Sequence, residues 1–168
     1  MARKKSGSHA GSASTPAALV LAREGIEFTP HGYEHDPAVT DFGGEAAAKL
    51  GVDPARIYKT LLAEVDGSLA VGIVPVGQRL DLKALAAALG GKKALLADPV
   101  LAERRTGYIV GGISPIGQKT AHPTVLDASA ESHPTVFISG GRRGLDIELA
   151  PADLRRVTRA IVAAIARR

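Results

Sequence analysis

Apolar residues recur along this chain in short blocks, each closed off by glycine, proline or a capping side chain. Thr15-Pro16 opens the first block. A hydroxyl N-cap followed by proline at the first helical position predicts a helix, with Leu19, Ala22 and Ile26 on one face and Gly25 as its stop. Residues 28–33 read as a short strand, residues 34–37 as a loop, and residues 44–50 as a helix ending at Gly51. Strands are predicted over residues 56–65 and 68–76. The intervening Asp66-Gly67 is a two-residue hairpin signal. Asp81 caps a helix bearing Leu82, Leu85, Ala86 and Leu89, which Gly90 closes. Residues 92–97 read as a strand, and Asp98-Pro99 starts a short helix to about Arg105. Residues 108–110 are apolar and run like a strand end into a glycine-rich stretch. Residues 124–127, 135–139 and 145–149 give three more strands. Pro151 begins a terminal helix with Leu154, Val157, Ile161 and Ile165 at 3–4 spacing.

Short strands interrupted by helices, without a strict βαβ alternation, predict an α+β fold: a mixed sheet or partly closed barrel with surrounding helices. At 168 residues, a single domain over residues 15–168 is expected. Residues 1–14 are rich in lysine, serine, glycine and alanine and lack apolar periodicity, so they are expected to be a disordered basic tail. Such a tail is either solvated or in contact with RNA phosphates.

Charge refines this picture. The net charge is +4, yet the basic residues concentrate at the ends. Arg3, Lys4 and Lys5 face no acid in residues 1–14, and five arginines face only Asp153 in residues 151–168. The body between them is net acidic, so nucleic-acid contact has to come from local clusters rather than from a global field. Cysteine is absent, which excludes disulfides, thiolate nucleophiles and thiolate metal sites. Apolar runs fall well short of the roughly 18 residues of a membrane span. No apolar segment follows the N-terminal basic residues, and the chain reads as cytoplasmic.

Candidate chemistry sits in three places. Alternation along the strand puts Lys59 on the same face as Ile57 and Leu61. It either points into a pocket toward an anionic or carbonyl group, or snorkels from an edge strand. Gly111-Gly112-Ile113-Ser114-Pro115 either cradles an anion with backbone N–H groups or makes a tight bend. Ser139-Gly140-Gly141-Arg142-Arg143-Gly144 is either a second nest of N–H donors beside two guanidinium groups or a solvated turn. The stretch at 111–118 matches neither the phosphate-loop nor the dinucleotide pattern. His31, His35, His122 and His133 lack metal-ligand spacing, and no Gly-x-Ser-x-Gly elbow is present.

Taken in order, Tyr33-Glu34-His35-Asp36-Pro37, Phe42-Gly43-Gly44-Glu45, Tyr58-Lys59-Thr60-Leu61-Leu62, Ala97-Asp98-Pro99, the run from Thr106 to Lys119 and the run from Ser139 to Leu149 resemble the YbaK/EbsC family. Within it, the chain is most similar to the Cys-tRNA(Pro) deacylases. The resemblance spans about residues 15–160. It implies a fold related to the editing domain of bacterial prolyl-tRNA synthetases, no cofactor, and removal of cysteine mischarged onto proline tRNA. It further implies partnership with prolyl-tRNA synthetase for tRNA selection. A pocket separating side chains of similar size discriminates by only ~1–3 kcal/mol, which is why a second, hydrolytic site is needed.

Carried over by the resemblance, Lys59 is the essential lysine, with Gly111 and Gly112 in the reacting loop. Tyr33, Phe42 and Thr60 line the pocket. Ile113, Ser114 and Pro115 complete the first loop, and Ser139, Gly141, Arg142 and Asp146 belong to the second. Gly44 departs from the acidic residue often found after Phe-Gly. The family's reaction uses the thiol of the cysteine substrate itself, giving a thiolactone and free tRNA. An alanyl-tRNA(Pro) deacylase using water, and a non-catalytic RNA- or nucleotide-binding module, remain alternatives.

Overall fold

The computed structural model describes residues 15–168, so the expected tail lies outside the described residues. In chain order the elements are α1 (Pro16–Arg23), β1 (Thr29–Gly32), α2 (Phe42–Leu50), β2 (Tyr58–Val65), β3 (Ser68–Pro75), β4 (Arg79–Leu80), α3 (Leu82–Ala88) and β5 (Ala94–Leu96). Then follow α4 (Pro99–Thr106), β6 (Thr124–Asp127), β7 (Val136–Arg142), β8 (Leu145–Leu149), α5 (Pro151–Thr158), β9 (Ile161–Ala163) and β10 (Ala166–Arg167). The fold is α+β. A five-stranded mixed sheet runs β5-β2-β3-β6-β9, a three-stranded antiparallel sheet runs β1-β8-β7, and β4 pairs with β10. The sheets do not close into a barrel. An isolated parallel bridge between Ile57 and Phe137 joins the two larger ones.

The β2–β3 hairpin is the frame. Asp66 (φ 50°) and Gly67 (φ 88°) make the two-residue turn that their sequence promises. β3 is buried on both faces, which explains its unbroken apolar run. Val71 and Ile73 enter the main core with Leu21, Tyr58, Leu126, Ile138 and Ile147. Val74 faces the opposite way, into a second cluster with Leu80, Leu85 and Ile165. Gly72 shares that second face, where a Cβ would come within 2.8 Å of Leu80. A third cluster, Ala46, Ala47, Ile57 and Phe137, seats α2 over the junction of the two sheets.

Helix starts follow the local code. Asp41, Asp81 and Asp98 each accept from backbone N–H groups at the starts of α2, α3 and α4, and Thr15 does so for α1.

Four expectations need correction. In α1 the buried face is Ala17, Ala18 and Leu21, while Leu19 is 53% exposed. The helix is short and apolar on several sides, and its small-residue face is the one that fits closely over β7. The strand expected from residue 56 begins at Tyr58, because Asp53 caps a 3₁₀ turn at Pro54–Arg56. Residues 108–110 form no strand; they lie in an irregular stretch, 107–123. The terminal helix stops at Thr158, where Arg159 turns left-handed (φ 56°). The chain then adds β9 in parallel to β6 and β10 to β4.

Asp127 causes that last reversal. One carboxylate oxygen accepts from the backbone N–H groups of Ile165 and Ala166, each at 2.9 Å. The other accepts from Ser129 N–H and Oγ, and Ser129 in turn meets Tyr58 Oη at 2.8 Å. Asp127→Ala is expected to destabilise the protein by about 2–3 kcal/mol, because it strands the buried Ile165 N–H and frees the part-buried Ala166 N–H and Ser129 donors. A matching fall in the urea midpoint at unchanged m-value checks this.

Candidate active site

The two larger sheets pack on a common core and are bridged along their backbones at Ile57 and Phe137. Two residues further along both strands stand Lys59 and Ser139, and the gap between the sheets opens there into a cavity of about 370 Å³. Tyr33, Phe42, Lys59 and Thr60 line it from β1's exit, α2 and β2. Gly111 and Ile113 line it from the irregular stretch, and Ser139 and Asp146, cross-strand partners, from β7 and β8. Residues far apart in sequence thus converge on one pocket of ordinary ligand-site size.

The other five candidates lie behind this lining. Gly112 is buried against the β7–β8 hairpin, where a Cβ would come within 2.7 Å of Arg142 Cα. Its N–H donates to Ile109 O at 2.8 Å. Ser114 is fully buried, and its Oγ accepts from Ile116 N–H. Pro115 is buried, and Arg142 is exposed. Gly141 (φ 110°) packs under Tyr108 and Thr15, and its N–H donates to Ser139 Oγ. The second glycine stretch is therefore not a loop outside the sheet. It is the end of β7, with a register shift between Ser139 and Arg142 that breaks the ladder.

Lys59 and Asp146 are the site's two desolvated charges. β2 lies between β5 and β3, but β5 pairs only with Ala63–Val65, so within this sheet Lys59 has β3 beside it and no partner on the β5 side. Among the described residues its Nζ reaches only the Val76 carbonyl, at 3.5 Å. Burial pushes its pKa down, and the Asp41 carboxylate partly opposes this. Asp146 is 7% exposed, and burial pushes its carboxyl up to about 7. Tyr33 is raised to about 12, chiefly by burial and then by the carboxylates of Asp146 and Glu45. Thr60 Oγ1 is buried with no hydrogen-bond partner among the described residues. A pocket holding unspent polar groups is primed for a polar ligand.

The pocket wall at Phe42 is braced from behind. Buried Glu45 accepts from the Asp36 N–H, which does most to hold its carboxyl down at about 2, and it also meets His35 (2.6 Å) and Lys49 (3.1 Å). This cluster ties residues 34–41 to α2 and sets His35 beside the Phe42 ring.

Sequence reasoning missed part of the lining. Asp41 and Val76 meet the pocket near Lys59, and Leu96, Pro99 and Val110 form an apolar rim. Asp41 carried a signal as a helix cap, and Pro99 and Val110 stand in runs that carry the resemblance, but Leu96 carried none, because a lone exposed Leu is common on any surface. No histidine lines the pocket, and no paired nucleophile and base stand in it among the described residues.

Asp146 gives the site a pH signature. In the unfolded chain its carboxyl ionises near the ordinary 3.8, and in the folded protein near 7. Between those values the folded state holds one extra proton, so stability falls as pH rises from about 4 to about 7 and then levels off. Asp146→Asn is expected to remove that slope. Unfolding free energies from urea titrations across the window should diverge from wild type by on the order of 2–4 kcal/mol.

Comparison with known proteins places this geometry. The family model of the aminoacyl-tRNA editing domain matches residues 36–157. An Enterococcus faecalis protein named "Putative Cys-tRNA(Pro)/Cys-tRNA(Cys) deacylase EbsC" is 42% identical over 113 residues, 67% of this chain and 69% of that protein. A proline–tRNA ligase of Moorella thermoacetica is 38% identical over 73 residues, 44% of this chain but 13% of the ligase. A crystal structure of "a putative trans-editing enzyme for prolyl tRNA synthetase" superposes with a TM-score of 0.79 at 27% identity, covering 94% of this chain and 98% of that one. The matched span carries Phe42, Lys59, Gly111, Ser139 and Asp146, and the chain belongs to the aminoacyl-tRNA editing domain family.

Proposed function

We propose that this protein is a trans-editing deacylase that removes cysteine from mischarged tRNA(Pro). The observation that carries the reading is a pocket with an unspent cation, Lys59, an unspent carboxyl, Asp146, and no nucleophile–base pair of its own. The named relatives supply the substrate class: one is a deacylase of Cys-tRNA(Pro) by name, another a proline–tRNA ligase.

The bond to be broken is an aminoacyl ester. A pocket lacking a nucleophile must use water or a group on the substrate, and cysteine brings a thiol beside its own carbonyl. Attack of that sulfur forms a carbon–sulfur bond and breaks the ester carbon–oxygen bond. The thiol proton goes to the departing ribose oxygen, and the thiolactone product is opened later by water. Intramolecular attack draws its rate from held geometry, which a site of positioning groups provides. Asp146, ionised on meeting a cation, pairs with the substrate's α-ammonium. Lys59 holds the ester carbonyl or a phosphate of the terminal adenosine. The N–H groups of Gly111 and Ile113 have no hydrogen-bond partner among the described residues, and they serve the developing oxyanion. Gly112 N–H, already spent on Ile109, does not.

The net-acidic body argues for tRNA selection through a complex with prolyl-tRNA synthetase. Isolated protein should bind tRNA weakly, with affinity falling as salt rises. Tight binding specific to tRNA(Pro) by the isolated protein would contradict this.

The test is deacylation of proline tRNA charged with cysteine, serine, alanine or proline. Cysteine should be released fastest, with serine at least about 100-fold slower because its hydroxyl is the poorer nucleophile. Lys59→Ala should lower turnover by about 100-fold or more. Comparable rates on cysteine and serine would sink the thiol mechanism, and a preference for alanine would mark a water-dependent alanyl deacylase instead.

A further inference from the structure

Arg143 does not line the pocket, yet it touches two of its walls. Its Nε and Nη2 both donate to the Val110 carbonyl, at 2.9 and 2.7 Å. Its guanidinium carbon lies 5.0 Å from the centroid of the Phe42 ring, whose neighbour is His35 at 5.6 Å. One residue back along the turn, the Val110 N–H donates to Glu103 Oε2 of α4 at 2.8 Å. Two successive peptide planes are therefore each held by a charged side chain, one from α4 and one from the β7–β8 turn.

Those planes belong to a defined turn. Gly112 N–H donates to Ile109 O, and Gly111 has φ +90° while Val110 is not left-handed. Residues 109–112 thus form a type II β-turn with glycine at its third position. Such a turn has a near relative, type I, reached by flipping its central peptide. In this protein that peptide is Val110–Gly111. The unit is planar and trans, so its carbonyl and its N–H point in opposite directions. An arginine gripping the Val110 carbonyl from outside turns the Gly111 N–H the other way, toward the pocket that Gly111 lines.

We propose that Arg143, assisted by Glu103, is a positioning residue that holds the Val110–Gly111 peptide in the orientation presenting the Gly111 N–H to the reacting carbonyl. The proposal rests on the deacylase reading for its kinetic consequence but not for its structural one. In this arrangement the Arg143 guanidinium is spent on the turn rather than on a phosphate. Its role is also distinct from that of Gly111, whose glycine the turn demands. A Cβ there would meet Phe42 at 2.8 Å and Arg143 Nε at 2.9 Å.

The experiment compares wild type with Arg143→Met, Arg143→Lys, Glu103→Ala and Glu103→Gln. Two readouts are taken: steady-state deacylation of Cys-tRNA(Pro), and ¹⁵N resonances of Gly111 and Gly112 in the protein without substrate. Arg143→Met should lower kcat by about 10- to 100-fold with KM within about threefold, and should shift or broaden the Gly111 amide. Lysine keeps one donor and should restore part of kcat. Glu103→Ala should act in the same direction more weakly, and Glu103→Gln, which keeps the acceptor, should restore it. A rise in KM at constant kcat, with a shallower salt dependence, would overturn the proposal in favour of a phosphate contact. Unchanged Gly111 and Gly112 resonances in Arg143→Met would also overturn it. If wild type releases no amino acid from any charged tRNA, the deacylase reading fails, and the amide resonances alone still decide the clamp.

Discussion

The stretch 107–123 has neither helix nor strand, and the site depends on how it is held. A backbone without a ladder must find its hydrogen bonds elsewhere or be solvated. Here side chains supply them along its length. Glu103 and Arg143 take the two polar groups of Val110. Tyr108 Oη donates to Ile116 O at 2.8 Å, and Gln118 Nε2 donates to Ser114 O at 2.9 Å, with His122 on its other end. Long irregular segments in compact folds are typically functional, and this one is pinned at several points rather than left mobile.

The pinning explains the division of labour among the glycines. Gly112 lets its backbone approach that of Arg142, and Gly141 makes room for the side chains of Tyr108 and Thr15. Gly111 supplies the positive φ that the turn needs. Only the last of these lies on the pocket wall. Motif glycines that look equivalent in one dimension thus do different work: some permit contact between segments, and one shapes the surface that a ligand meets.

Stability is given up at the pocket. Lys59 and Asp146 both shift toward their neutral forms because burial is incompletely compensated. The protein tolerates this because β3 at the centre of the sheet is buried on both faces and because Glu45 and Asp127 are fully hydrogen-bonded. Well-satisfied Glu45 and Asp127 hold the scaffold, whereas the Asp146 carboxyl, on the pocket wall, has no hydrogen-bond partner among the described residues.

Caps and turns were legible in the sequence because their causes lie within a few residues. Thr15, Asp81 and Asp98 bond to N–H groups two or three positions on, and Asp66-Gly67 closes its hairpin unaided. The candidate site was legible as an ordered set of short runs, and most of its pocket lining was named from them. Other features depended on partners distant in the chain. The 3–4 spacing after Pro151 could not reveal that Asp127 and the edge of β6 would capture residues 161–166 as strands. Nor could it reveal that α1 would bury alanines instead of Leu19. Sequence alone therefore determined where elements start and which residue types carry chemistry, through short-range hydrogen bonding and backbone sterics. Tertiary structure alone decided which of those residues share a cavity, because convergence there follows from two sheets bridged at Ile57 and Phe137, with Lys59 and Ser139 two residues further on lining the cavity.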